Sequence, residues 1–349
     1  MKKLIFVILA VGAISQYGQE VRPVRDDIGF CWQRPQMKRL MDLLAAAERQ
    51  EFPVRGMVAG ISPHDDYLYA GRVYYPLFKK LRTREAVIFG VTHGAVRKEI
   101  GDPHDILLLD EYRSWSGLSR EVSISPLRAW LKKYLPKEDY AVSNRAHALE
   151  HSIEALVPFL QYNNPDVQIT PIMVTAMPFE RMAELSERLA TVLAGYMREK
   201  NLQPGRDIFF LISADANHYG RDFNNIPFGE DERAHALGTE QDLRIASAAF
   251  NGLLNEQMIL ALTRELWGAT YLDYRNTYWC GKYDIPFGLL TTSKTMKKIS
   301  GRRLKGRIFR YSDTYSEGVL PLKKAGIGIT APYSPKHWVG FLAAGFYLD

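Results

Sequence analysis

Four short polar stretches carry side chains able to hold a cation or move a proton. They are Pro63-His64-Asp65-Asp66, Thr92-His93-Gly94, His147-Ala148-Leu149-Glu150-His151 and Ser213-Ala214-Asp215-Ala216-Asn217-His218. Imidazole binds zinc, copper and iron and also titrates near neutral pH, so His64, His93 and His218 read as ligands or as acid–base groups. Asp215, three residues before His218, is of a type to orient that ring or a water beside it. His147 to His151 fits H-x-x-E-H, in which two histidines one helical turn apart hold zinc and Glu150 acts as base. His104, His235 and His337 belong to no such pattern and read as ordinary. Two cysteines are present, Cys31 and Cys280. In an oxidising compartment they could form one disulfide; a metal holding Cys280 as thiolate is the alternative.

The elements ahead of these stretches give them meaning. Val54 to Ile61 is apolar without helical spacing and predicts a buried strand, as do Ala86 to Val91, Ile106 to Leu109, Gln168 to Val174 and Asp207 to Ser213. Helical spacing covers Gly71 to Leu81, His147 to Tyr162, Phe179 to Lys200, Ala234 to Leu254, Gln257 to Trp267 and Pro286 to Lys297. Strand-like segments return at Gly306 to Tyr311, Gly326 to Thr330 and Trp338 to Leu348. Apolar strands alternating with amphipathic helices predict an α/β fold, a largely parallel or mixed sheet with helices on both faces. His64, His93 and Asp215 then follow the carboxyl ends of three separate strands, the edge where such sheets bind ligands.

Composition sets the outer limits. The chain has 349 residues, 46% hydrophobic and 24% charged, which is ordinary globular usage. No repeat or low-complexity linker divides it, so residues 16–349 read as one domain. Ahead of them, Met1-Lys2-Lys3, the apolar run Leu4 to Val11 and the small residues Ala13 and Ser15 predict a signal peptide over 1–15. That predicts an exported protein, periplasmic or secreted. The apolar run is shorter than the roughly 20 residues that span a bilayer, and no later stretch qualifies as a transmembrane segment. Cleavage removes Lys2 and Lys3 alone among charged residues, so the net charge falls from +6 to +4. The basic residues are scattered, apart from Lys297-Lys298 and the Arg302 to Arg307 cluster, and form no stripe with interleaved aromatics. No nucleic-acid partner is expected, and nothing in the sequence sets an oligomeric state.

The same stretches resemble the motifs of the Memo family, which includes the AmmeMemoRadiSam system protein B. Pro63-His64-Asp65-Asp66-Tyr67-Leu68-Tyr69-Ala70-Gly71 resembles PHAGYxYxG, and Gly90-Val91-Thr92-His93-Gly94 resembles GPSHH. Glu150-His151-Ser152-Ile153-Glu154 matches EHSxE, Ser213 to Gly220 resembles SSDxxHxG, and Cys280-Gly281 matches CG. Five motifs in order, between Gly29 and Gly345, carry the resemblance. It implies the fold of class III extradiol dioxygenases, non-haem iron enzymes that open catechol rings. It also implies a metal held by His64, His93 and Cys280, the cysteine standing where the dioxygenases have a carboxylate. The sequence departs at Asp65-Asp66, in place of Ala-Gly, and at Gly94, in place of a second histidine. It departs again at Lys282 to Gly288, where the family has RHPxG. Those changes spare the ligand set, but no substrate preference carries over from the family through them.

Two imidazoles and a thiolate suit iron or copper ahead of zinc, and exclude magnesium and calcium. Three protein ligands leave positions open, as catalytic sites do. A cation would also keep Cys280 from pairing with Cys31. The expected activity is a metal-dependent, dioxygenase-like oxidoreduction of an unknown small substrate, with His218, Asp215, Glu150 and His151 as catalytic residues. Glu150 and His151, adjacent on a helix, would point roughly 100° apart, so that one reaches the site. Tyr67, Tyr69 and Tyr219 would line a pocket or fill the core. The alternatives are a non-catalytic protein, holding a peptide or small ligand in its cleft or handling metal, and a zinc peptidase using His147, Glu150 and His151.

Overall fold

Branched and aromatic residues in unbroken runs force strands that are buried on both faces, and these make the centre of the molecule. The computed structural model describes residues 20–349 except 49, 54, 275–277, 323–325 and 332. The expected signal peptide, residues 1–15, lies outside the described residues, as does Val54. Among those described, thirteen strands form: β1 (Val21–Arg22), β2 (Met57–Ser62), β3 (Glu85–Val91), β4 (Leu107–Leu109), β5 (Ser114–Trp115), β6 (Val122–Ile124), β7 (Tyr140–Val142), β8 (Gln168–Val174), β9 (Ile208–Ser213), β10 (His218–Gly220), β11 (Gly252–Leu253), β12 (Leu304–Asp313) and β13 (His337–Leu348). The path across the sheet is β1-β5-β6-β8-β3-β9-β2-β13-β12-β11, with β4 joining β8 to β7 and β10 lying on β13. From β6 to β2 the neighbours are parallel; from β2 to β11 they are antiparallel. The sheet is therefore mixed, with a parallel centre.

Among the described residues ten α-helices accompany the strands: α1 (Arg34–Ala47), α2 (Tyr67–Phe78), α3 (Gly94–Glu99), α4 (Leu127–Tyr134), α5 (Asn144–Leu149), α6 (Val157–Asn163), α7 (Phe179–Glu199), α8 (Glu232–Phe250), α9 (Glu256–Leu266) and α10 (Asp284–Ser300). Alternation along β3 shows how they divide. Ala86 and Ile88 pack with α1, α2 and α6, while Val87 and Phe89 pack with α7, α8, α9 and α10. In α7 the buried Met182, Leu185, Leu189, Leu193 and Met197 recur every three or four residues, the stripe that seats a helix on a sheet.

Three expectations need correction. The helix expected over His147 to Tyr162 is broken: α5 ends at Leu149, and α6 starts at Val157 after a single 3₁₀ turn, Glu154–Leu156. Its apolar spacing is helical, but the Glu150 carboxylate takes the backbone N–H groups of His151 and Ser152, each at 2.9 Å. A side chain that captures nearby amides competes with the helix for them. Gly326 to Thr330 forms no strand; Thr330 instead donates its backbone N–H and hydroxyl to Asp66. The helix expected to reach Leu254 stops at Phe250, because Gly252 turns with a positive φ of 91° into β11.

Candidate metal centre

Ser62 on β2 sits opposite Ser213 on β9, so two adjacent parallel strands end level. Each delivers a polar residue two positions later, His64 from one and Asp215 from the other. The Asp215 carboxylate accepts the His64 backbone N–H at 2.9 Å, and its second oxygen lies 3.3 Å from His64 Nε2. β3, on the far side of β9, supplies His93 at its own end. Both histidines reach the carboxyl edge expected from the sequence. Their rings are 5.2 Å apart and nearly perpendicular.

Neighbours decide which ring nitrogen each histidine offers. Ser213 Oγ donates its one proton to the Ser152 carbonyl at 2.6 Å, so it must accept from His64 Nδ1 at 3.1 Å. Nε2 of His64 is then a lone pair. Glu150 does the same for His93: its carboxylate lies 2.8 Å from Nδ1 and accepts the backbone N–H at 3.1 Å. Hydrogen bonds that fix the distal nitrogen and orient the ring are the usual support of a metal-bound histidine. Burial, with the charges of His93 and His151, holds His64 well below its ordinary pKa, hence neutral. For His93 burial opposes the charge, but the Glu150 carboxylate outweighs it and raises the pKa. Burial also works against the Glu150 charge, yet His93, His151 and the Ser152 amide hold its pKa well below the carboxylate range.

Cys280 arrives from the segment joining α9 to α10. Its Sγ accepts the Asp215 N–H at 3.1 Å and lies 3.5 Å from His64 Nε2. Both cysteines are free and buried, so no disulfide joins them. Cys31 packs among apolar side chains on the α1 face, where burial pushes its thiol to about 12. Burial likewise pushes the Cys280 thiol well above its ordinary range, with Asp215 and Asp284 adding to the effect. Only a cation close to the sulfur turns such a thiol into a thiolate.

The donor atoms of His64, His93 and Cys280 all lie within 4.8 Å of one another. Two overlapping groups share them: His93 with Glu150 and His151, and Asp215 with His218 and Cys280. The sequence-expected residues thus come together, His147 excepted. That side chain is fully buried beside Trp115 and meets the Leu108 carbonyl through Nε2 at 3.0 Å. With α5 ending before Glu150, the two histidines of H-x-x-E-H share no helix face, and the zinc-peptidase reading fails. His151 stacks on His93, ring centres 4.9 Å apart. His218 Nδ1 meets the Ala216 carbonyl at 3.1 Å, leaving Nε2 unprotonated, and loss of solvation takes its pKa to about 4. Burial raises Asp215 to about 7. His64, His93, His151, Asp215 and His218 line a cavity of about 290 Å³ together with Asp26, Asp65, Asp66 and others. Of the tyrosines, Tyr67 and Tyr219 are fully buried and Tyr69 nearly so; none lines it. His104 pairs with Asp102, His235 with Asp313 and His337 with Asp222.

The groups that support the ligands carry weaker signals in the sequence. Ser213 opens the motif that ends at Gly220, and its hydroxyl fixes His64. Arg22, fully buried, bonds Glu154, the His147 carbonyl at 2.8 Å and the Glu150 carbonyl. The second glutamate of EHSxE was the available signal for that partner. Asp242 accepts from Tyr278 at 3.1 Å, Trp279 at 2.9 Å and Tyr311 at 2.6 Å, bracing the residues just before Cys280.

Fold and site define a class: an α/β protein with two imidazoles and a thiol converging past the carboxyl ends of parallel strands. Residues 33–316 match the family model described as Memo-like protein, and the chain belongs to the Memo family, which is related in fold to the extradiol dioxygenases. A MEMO1 family protein of Archaeoglobus fulgidus is 28% identical over 180 residues, 51% of this chain and 62% of the relative. One from Pyrococcus horikoshii is 26% identical over 224 residues, covering 60% and 71%. One from Desulfurococcus amylolyticus is 23% identical over 321 residues, covering 85% and 86%. The matched stretch thus spans about three fifths of the Archaeoglobus relative's length.

Proposed function

We propose that the chain is a metal-dependent oxidoreductase of dioxygenase type. His64, His93 and Cys280 hold one ion, iron or copper ahead of zinc, and the substrate is a small organic molecule. The convergence of the three donor atoms within 4.8 Å carries this reading. Both imidazoles offer a lone pair and the sulfur already accepts an N–H, so the donor set fits a borderline-soft cation. When bound, such an ion supplies a Lewis-acid centre that can change oxidation state.

The protein's own groups supply the rest. Glu150 keeps His93 oriented and electron-rich. His218, neutral at pH 7, offers Nε2 as a hydrogen-bond acceptor to a group in the cavity, and Asp215, with a pKa of about 7, exchanges protons beside it. His151 closes the wall against His93. A space of about 290 Å³ admits a small ligand, and a peptide only by one side chain. Export through residues 1–15 belongs to the same reading, supported by their basic, apolar and small-residue order.

The test is metal analysis of protein purified from its own compartment, beside a Cys280→Ala variant. Wild type should carry close to one iron or copper per chain and the variant far less; equal contents remove Cys280 from the site. Oxygen uptake by the metal-loaded protein across a catechol panel tests the chemistry. Silence across that panel favours a non-catalytic, ligand-binding role.

A further inference from the structure

A second cavity, of about 220 Å³, borders the same centre through His93 and Cys280. Arg97, Lys282, Tyr274, Tyr283 and Trp279 line it as well. The two cavities differ in charge. Asp26, Asp65, Asp66 and Asp215 line the first, whereas no carboxylate is among the described residues lining the second.

The two cations are built into the wall. Arg97 lies flat on the Tyr274 ring, its guanidinium carbon 3.6 Å from the ring centre. The Lys282 ammonium is 5.3 Å from that same centre and 5.5 Å from the Tyr283 ring. Lys282 is 7% exposed and donates to the Asp273 carbonyl at 2.9 Å. Asp102 flanks Arg97 at 3.6 Å from outside the lining. Two positive groups crowded around one ring repel each other, and a bound anion relieves that repulsion while meeting a ready set of N–H donors. Gly94 carries no side chain beside Arg97, and a Cβ added there would stand at ordinary contact distance, 3.5 Å, from Arg97 Nη2. The family motif has its second histidine at this position.

Resting on the metal site proposed above, we infer that this cavity holds the acid group of a small organic carboxylate, whose reacting part lies at the metal beside His93, the residue that lines both cavities. The acid group sits between Arg97 and Lys282, and the rest of the molecule extends toward His93 and Cys280. Cavities of roughly 150 Å³ accept benzene, so about 220 Å³ suits one ring with an acid group.

The experiment measures binding of benzoate and of its neutral isostere benzamide to the metal-loaded protein by calorimetry, with metal content read on every sample. Wild type should favour benzoate at least tenfold, and Arg97→Met and Lys282→Met should each erase the preference at unchanged metal content. Equal binding of the two probes to wild type overturns the inference, as does a preference that survives both substitutions. Displacement of benzoate by an equal concentration of inorganic phosphate overturns the assignment to a carboxylate. Loss of the metal site fails separately: a protein that prefers benzoate but holds equal metal in the Cys280→Ala variant refutes the ligand set and leaves the anion subsite standing.

Discussion

Both histidines of the centre present Nε2 to it because another group takes the proton on Nδ1. For His64 that group is a hydroxyl whose own proton is committed to the Ser152 carbonyl. For His93 it is a buried carboxylate, also held by the amides of His93, His151 and Ser152. The difference is one of charge. Glu150 makes His93 the more electron-rich ligand and fixes its ring against the backbone of the broken helix. In Glu150→Gln the amide keeps an acceptor for Nδ1–H but loses the charge, and its NH₂ faces the His93 N–H. Metal affinity should fall roughly ten- to a hundredfold, as read by competition with a chelator of known affinity. The melting temperature of the metal-free variant shows whether the fold is intact. An affinity within twofold of wild type would remove Glu150 from any part in holding the ion.

The elements place Cys280 where two strand ends can use it, and Gly281 makes this possible. A Cβ on Gly281 would lie 2.3 Å from the Ala214 Cβ and within 3 Å of Ile285. Ala214 cannot retreat, since its N–H is bonded to the Ser62 carbonyl at 2.9 Å across β2 and β9. Gly281→Ala should therefore push the cysteine segment off the strand ends, costing about 1–3 kcal/mol of stability and weakening metal binding with it. Gly94→Ala, whose Cβ would meet only Arg97 Nη2 at 3.5 Å, is the matched control and should keep both. Denaturant unfolding of the two variants, with and without metal, decides; equal behaviour contradicts the packing argument. Much of this was legible beforehand. The strand ends carrying His64, His93 and Asp215 could be read from runs such as Ala86 to Val91, which are too apolar and too short to be anything but buried strands. The break after Leu149 was not legible, because Leu149, Ile153, Leu156 and Leu160 keep helical spacing through it. What ends α5 is a side chain taking amides, and periodicity does not register that. Arg97 was invisible for a similar reason, one of forty-five scattered cations; Lys282 stood out only as a departure from the family motif, and only the fold brings the two to one ring.

At the scale of the whole molecule, the centre gathers residues from most of the chain's length. His64 and Cys280 are 216 positions apart, and Asp66 beside the first ligand is tied to Thr330 across 264. The segment around Arg22 closes the other flank. β1 pairs with β5, and the Arg22 guanidinium crosses from there to Glu154 and to the carbonyls of His147 and Glu150. Glu154 accepts in addition the N–H groups of Arg25 at 3.0 Å and Asp26 at 2.7 Å. Arginine and glutamate are both fully buried, so removing one partner strands the other charge in the interior, at a cost of about 3–5 kcal/mol. Arg22→Ala should show that loss in urea unfolding of the metal-free protein. It should also lower metal affinity, because the Glu150 turn loses the bond to its carbonyl. A chain starting at Glu20 keeps every one of these contacts. One starting at Asp26 should behave like Arg22→Ala or worse. An unfolding free energy for Arg22→Ala within about 1 kcal/mol of wild type would mean that the stretch before residue 26 rides on the rest of the chain instead of holding the Glu150 turn in place.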